Sequence, residues 1–251
     1  MEPTITSVGV FGLLGLGLVF GLKHATEVDH VVAVSAIVSE HRSVFRSALV
    51  GGLWGAGHTA SLVLVGVVVL VFRVAIPAPV ANWLEFGVAL MIITLGAIAV
   101  LRVLRKRAEV HLHRHSHDGQ SHVHIHFHEH ETKHVGAAAS HSHAMSRIGF
   151  KPVLVGAMHG LAGSAALTLL VLTQIRSMSL GLLYLAVFGV GSTFGMLLMS
   201  GLIGLPFALS AQRISRLNFG LQAIGGVLSI AFGLWYAYEV GIANNLWRTI
   251  L

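Results

Sequence analysis

The stretch GLKHATEVDHVVAV, residues 21–34, sets Lys23, His24, Glu27, Asp29 and His30 within a chain segment that is otherwise apolar enough to lie in lipid. Each charge there costs several kcal/mol or must find a partner. The stretch also resists a regular helix with one purpose. At about 100° per residue, with His24 as zero, Asp29 lies near 140° and His30 near 240°, and the two histidines are roughly 9 Å apart along the axis. A straight helix cannot aim His24, Asp29 and His30 at one point. The spacing predicts a distorted or unwound segment over 24–30.

The rest of the chain explains the surroundings. Of its 251 residues, 55% are hydrophobic and 10% charged, where a soluble domain carries roughly a quarter charged residues. The balance is that of a membrane protein, and the glycine content suits closely packed membrane helices. No cysteine is present, which excludes disulfides, thiolate ligands and cysteine nucleophiles. The basic residues cluster at the ends of apolar runs, a topology signal rather than a nucleic-acid-binding face. Met-Glu-Pro at the N-terminus, with no basic start and no small-x-small site after the first apolar run, does not read as a cleaved signal peptide.

A spanning helix needs about 20 apolar residues. Six stretches qualify, at residues 7–38, 46–72, 82–101, 151–175, 178–208 and 217–240. Pro206 is expected to end the fifth. Arg42 and Arg46, the long connection with Arg102, Arg105, Lys106, Arg107, Arg114, Lys133, Arg147 and Lys151, and then Arg213 and Arg216 fall on one side. Arg73, Arg176 and Arg248 fall on the other. The positive-inside rule then puts both termini outside the cytoplasm and the long connection inside, in a plasma (inner) membrane.

A repeat divides the chain. Gly21-Leu22-Lys23-His24 matches Gly156-Ala157-Met158-His159. Gly55-Ala56-Gly57-His58-Thr59 matches Gly189-Val190-Gly191-Ser192-Thr193, and Leu84-Glu85-Phe86-Gly87 matches Leu217-Asn218-Phe219-Gly220. Three helices per copy, an odd number, make the second copy inverted, a common transporter design with its site near the midplane. The expected fold is an all-α integral membrane protein with six transmembrane helices in two inverted-topology three-helix repeats. Its parts are 1–107, a linking loop 108–146, and 147–251. The repeat pairs His24 with His159, Asp29 with Ser164, His58 with Ser192, and Glu85 with Asn218. The first copy holds more charge and should supply most ligands.

Imidazole and carboxylate together suit nickel, cobalt, zinc or ferrous iron. The candidate metal ligands are His24, Asp29, His30 and His58, with Glu27, Thr59, His159, Ser164 and Ser192 as supporting or second-copy groups. Lys23 and Glu27, four apart, are expected to neutralise each other. Trp83 and Glu85 read as interface anchors, and Met196 and Met199 as packing. The loop HLHRHSHDGQSHVHIHFHEHETKH adds a second metal-binding region at His111, His113, His115, His117, His122, His124, His126, His128 and His130. It has too few apolar residues for a core and is expected to be disordered without metal, although the alternation in HVHIHFHEH could pair as a marginal strand.

His24, Asp29 and His30 form H-x-x-x-x-D-H in an early apolar helix, followed by Gly57-His58-Thr59-Ala60-Ser61 in the next. This pattern resembles the signature of the nickel/cobalt transporter family, whose members typically have eight helices. The histidine loop is similar to that of related nickel/cobalt efflux proteins. The resemblance implies carriage of Ni²⁺ or Co²⁺ as the transported ion, with no resident cofactor, through His24, Asp29, His30 and His58. Without a phosphate-binding loop, a secondary, alternating-access mechanism is expected. Exporters of the same superfamily, Fe²⁺, Zn²⁺ or Mn²⁺ carriers, and a membrane metal sensor or accessory protein for a nickel enzyme are the alternatives. An enzyme is not expected, since neither H-E-x-x-H nor H-x-x-H-H occurs. Expected partners are divalent metal ions, the bilayer, and a soluble nickel chaperone or metalloenzyme maturation protein.

Overall fold

The computed structural model describes residues 7–72, 76–108, 112–117, 120–125, 149–162, 175, 177–213, 215–243 and 246. Seven α-helices cover most of these: α1 Ser7–His24, α2 Val28–Val38, α3 Val44–Phe72, α4 Ala78–Ala108, α5 Lys151–Leu161, α6 Met178–Arg213 and α7 Ser215–Tyr238, the last continued by a π-helical turn, Glu239–Ala243. Among the described residues, four helical segments are long and apolar enough to cross a membrane: Val44–Phe72, Ala78–Arg105, Met178–Ala211 and Leu217–Ala243. α1 and α2, bent by 52° at the break between them, make a fifth if the pair is one broken span rather than a re-entrant loop. Large apolar side chains on these helices, among them Phe11, Val19, Leu64, Phe72, Phe194 and Leu202, are exposed. Such surfaces belong against lipid. The chain is an all-helical, multi-pass membrane protein in its spanning part.

The break over 24–30 is where the sequence places it. α1 ends at His24, and Thr26 and Glu27 donate their amides back to the carbonyls of Lys23 and His24. Glu27 then turns to an extended backbone, φ −64°, ψ 147°, before α2 begins. The fourth predicted stretch is helical over Lys151–Leu161, and Ala162 leaves the helix with an extended backbone. Residues 163–174 lie outside the described ones, as does Ser164.

Two expectations are corrected. Pro206 lies inside α6, which runs on to Arg213. In apolar surroundings the backbone has no partner better than the next helical turn, so a proline is carried through. The histidine loop is not without order throughout. Leu112–His117 (β1) and Gln120–Ile125 (β2) form an antiparallel pair, with His113 opposite His124 and His115 opposite His122. His111, His126, His128 and His130 lie outside the described residues.

Packing is governed by glycines at helix crossings. A Cβ on Gly21 would strike the α6 backbone at Phe188, and one on Gly156 would strike the α3 backbone at Trp54. Gly57 meets Val153, and Gly191 meets Leu18. Gly55 meets Thr193, and Gly189 meets Thr59. In each of these pairs the second contact is the first displaced by roughly 134 residues. α4 and α7 pack on each other through Gly96, Gly226 and Gly233. α1 thus lies on α6, α5 on α3, and α3 on α6.

Candidate metal centre

The breaks in the chain bring four imidazoles together. His24 is the last residue of α1, His30 stands in the first turn of α2, His58 is in the middle of α3, and His159 is in the last turn of α5. Their relative exposures are 3%, 1%, 0% and 1%. Ring centroids lie 4.4 Å apart for His24 and His30, 4.2 Å for His30 and His159, and 5.3 Å for His30 and His58. Glycines make this approach geometrically open: Gly160 abuts the backbone of His58, and Gly156 that of Trp54.

The two carboxylates stand behind the rings. Glu27 Oε2 is 3.0 Å from His24 Nδ1. Asp29 engages two histidines, Oδ1 at 3.0 Å from His30 Nδ1 and Oδ2 at 2.8 Å from His159 Nε2. Asp29 Oδ1 also accepts the amide of His30. With each of these ring nitrogens donating to its carboxylate, His24 Nε2 and His30 Nε2 keep their lone pairs, and so does His159 Nδ1. His58 Nε2 lies 3.1 Å from His24 Nε2 and, in that assignment, donates to it. His30 Nε2, His58 Nδ1 and His159 Nδ1 are buried without a hydrogen-bond partner. Buried polar atoms are rarely left so. Unpaired imidazole nitrogens oriented by carboxylates on the opposite ring atom are the usual arrangement of metal-ligating histidines.

Two overlapping sets can each hold an ion: His24, His30 and His58, and Asp29, His30 and His159. His30 is common to both. The field also favours a cation. α1 and α5 both end at the cluster, and a helix C-terminus carries about half a negative charge. Glu27 and Asp29 add two formal charges, enough to balance a divalent ion.

Other candidates fall differently. Glu27 reaches His24, where the spacing had paired it with Lys23. Thr59 turns away to α6, bonding Gly189 O at 3.1 Å and Thr193 Oγ1 at 2.9 Å, so it belongs to helix packing. Ser192 is buried on α6 where Gly21 abuts its backbone, and its hydroxyl has no partner. Met196 is core. Glu85 is half-buried near Tyr236, and Trp83, 37% exposed, packs edge-on against Phe86. Sequence reasoning missed Trp54, whose ring packs on both His30 and His159 at 5.4 and 5.6 Å, and Phe188 beside His24 at 5.6 Å. Trp54 and Phe188 occupy matching positions of the internal repeat, one turn before His58 and Ser192, which was the signal available for them.

Comparison with known proteins gives the family. The chain is 36% identical over 241 residues to the urease accessory protein UreH of Bacillus sp. (strain TB-90), covering 96% of this chain and 97% of that one. It is 25% identical over 219 residues to the chloroplast protein FOR GROWTH AND FERTILITY 1 of Arabidopsis thaliana, covering 87% of this chain and 56% of that one. No solved structure is a significant match. The family model described as high-affinity nickel-transport protein matches residues 10–239. A transporter family matched over nearly the whole chain, around a buried histidine cluster in apolar helices, leaves no place for an enzyme: the chain belongs to the high-affinity nickel-transport (NicO) family.

Proposed function

We propose that the protein is a secondary transporter that carries Ni²⁺, with Co²⁺ as its nearest competitor, through the centre formed by His24, His30, His58 and His159 with Asp29 and Glu27. The observation that carries this reading is the buried cluster itself: four imidazoles at a break in a spanning helix, three of them with an unpaired nitrogen. Two nitrogens each about 2.1 Å from one ion, at 90° to 109°, lie roughly 3.0 to 3.4 Å apart. The 3.1 Å between His24 Nε2 and His58 Nε2 fits that edge once the His58 proton moves to Nδ1, so that both Nε2 atoms offer lone pairs. Histidine-rich coordination suits nickel and cobalt better than manganese or magnesium. The relative named for urease accessory function supports nickel as the cargo and delivery to a cytoplasmic nickel enzyme or its maturation protein as the purpose.

The architecture we infer is six spans in two inverted three-helix repeats, 1–107 and 147–251, joined by the histidine loop 108–146. The paired glycine contacts displaced by roughly 134 residues support it. So does the pairing of helices that stop at or just past a histidine, α1 at His24 and α5 two residues after His159. Both termini are then extracytoplasmic and the loop cytoplasmic, where its histidines would receive or buffer the ion. Alternating access would pass the ion between the two overlapping ligand sets through their shared His30.

The test is metal flux into proteoliposomes of the purified protein. With a metal-sensing dye inside and Ni²⁺, Co²⁺, Zn²⁺, Mn²⁺ or Fe²⁺ outside, Ni²⁺ or Co²⁺ flux should appear and His30→Ala should abolish it. Binding of metal without flux of any ion would overturn transport in favour of a sensor.

A further inference from the structure

Away from the metal centre lies a cavity of about 440 Å³, bounded by the last turn of α2 and the residues just after it, by α3 at Val50, by α4 and by the first turns of α5. Ile37, Leu95, Ile98 and Leu154 form much of its wall. Ile98 and Leu154 are 38% and 58% exposed, so the cavity opens sideways to the lipid-facing surface. Its polar end holds Arg102, Lys151, Glu40 and His41. Arg102 pairs with Glu40, yet both keep substantial exposure, 45% and 36%. Lys151 is exposed.

The charge at this end does not suit a divalent cation. Glu40 is already paired, and a second cation, Lys151, stands at the same mouth. An apolar trough with two basic groups at one end instead has the form of an amphiphile with a negative head. Both basic groups lie in the arginine- and lysine-rich set of helix ends, the side the positive-inside rule assigns to the cytoplasm, whose leaflet carries the anionic lipids.

We propose that this groove binds one anionic phospholipid, its acyl chain along Ile37, Leu95, Ile98 and Leu154 and its phosphate between Arg102 and Lys151. The phosphate shares Arg102 with Glu40, which follows α2, the helix that carries His30 at its other end. Lipid occupancy therefore acts on the element that positions the metal ligands. Sidedness decides only which leaflet supplies the lipid, and binding does not depend on metal transport.

Native mass spectrometry of the full chain, released from mixed micelles with equal phosphatidylglycerol and phosphatidylcholine, tests this directly. The unaltered protein should retain one phosphatidylglycerol in preference. Lys151→Gln and Arg102→Gln should each lower that retention about fivefold, the usual weight of one basic residue near an anionic headgroup. Ile98→Trp, which fills the trough, should lower it as well. Arg105→Gln removes the same charge from α4 outside the cavity and should change nothing. If Arg105→Gln matches Lys151→Gln, or if Lys151→Gln and Ile98→Trp retain lipid like the parent, the attraction is a diffuse annular one and the groove is not a site. Excess inorganic phosphate should leave the retained lipid in place, and its complete displacement would overturn the lipid assignment.

Discussion

His24 and His58 face each other across two helices with their Nε2 atoms 3.1 Å apart, although 34 residues separate them in the chain. Neither could be brought there by its own helix. α1 stops at His24, and α3 presents His58 from a continuous helix. The bend after His24 then returns His30 to within 4.4 Å of the His24 ring. This contact is the core of the first ligand set, so His24→Ala and His58→Ala should each abolish Ni²⁺ flux in proteoliposomes. Isothermal titration of the same variants should show metal binding at the centre lost or weakened by more than the 10- to 100-fold typical of an outer partner. Flux retained in His58→Ala would remove α3 from the ion's path.

The carboxylates are expected to act differently from the imidazoles. Glu27 sits on His24 Nδ1, and Asp29 on His30 Nδ1 and His159 Nε2, so both orient the rings and balance charge, while Asp29 also belongs to the second ligand set. Glu27→Gln keeps a hydrogen-bond acceptor and removes the charge. It should weaken Ni²⁺ affinity on the order of 10-fold while leaving measurable flux. Asp29→Asn should cost more, since one amide group cannot accept from both His30 and His159. A Glu27→Gln variant that transports at the parent's affinity would show that Glu27 is a solvated neighbour only.

Much of this was legible in the sequence, and the reasons are particular. The polar stretch at 23–30 demanded a break because helical geometry scatters its side chains, and the break is there. His58 stood out as a lone imidazole within an apolar run. His159 was ambiguous: only its match to His24 in the repeat pointed inward, and the structure makes it the second partner of Asp29. Thr59 was misleading, since a hydroxyl next to a ligand can turn either way, and helix packing on α6 took it. Composition argued for disorder in the histidine loop and the alternation in HVHIHFHEH for a marginal strand at most; the pairing of 112–117 with 120–125 goes further, and Asp118-Gly119 is a sequence pair that hairpin turns favour. Pro206 misled because a proline breaks helices in water more readily than among apolar neighbours.

The glycines at helix crossings should be intolerant in matched pairs. Gly21→Val and Gly156→Val each place new atoms against a neighbouring backbone, at Phe188 and Trp54. Overpacking of this kind costs about 1–3 kcal/mol. Both should lower the detergent melting temperature by several degrees and reduce flux, because the same contacts seat His24 and His159. Gly12→Ala, with nothing within 4 Å of the new Cβ, should leave the melting temperature unchanged or slightly higher.

Topology can be read by labelling, because the chain has no cysteine of its own. Single cysteines at Ser121 in the histidine loop and at Pro77 before α4 should react with a membrane-impermeant maleimide from opposite sides. Ser121→Cys should react only after the cytoplasmic face is opened, and Pro77→Cys in intact cells. The reverse pattern would invert the whole assignment, and labelling of both from one side would mean that α4 does not span the bilayer. The same background separates the loop from the pore. Deleting residues 111–143 removes twelve of the seventeen histidines yet none of the four at the centre. Flux should therefore persist at saturating Ni²⁺, with the concentration dependence shifted. Complete loss of flux in a deletion variant that still melts cooperatively would make the loop part of the transport path itself, and the buried centre would then be insufficient on its own.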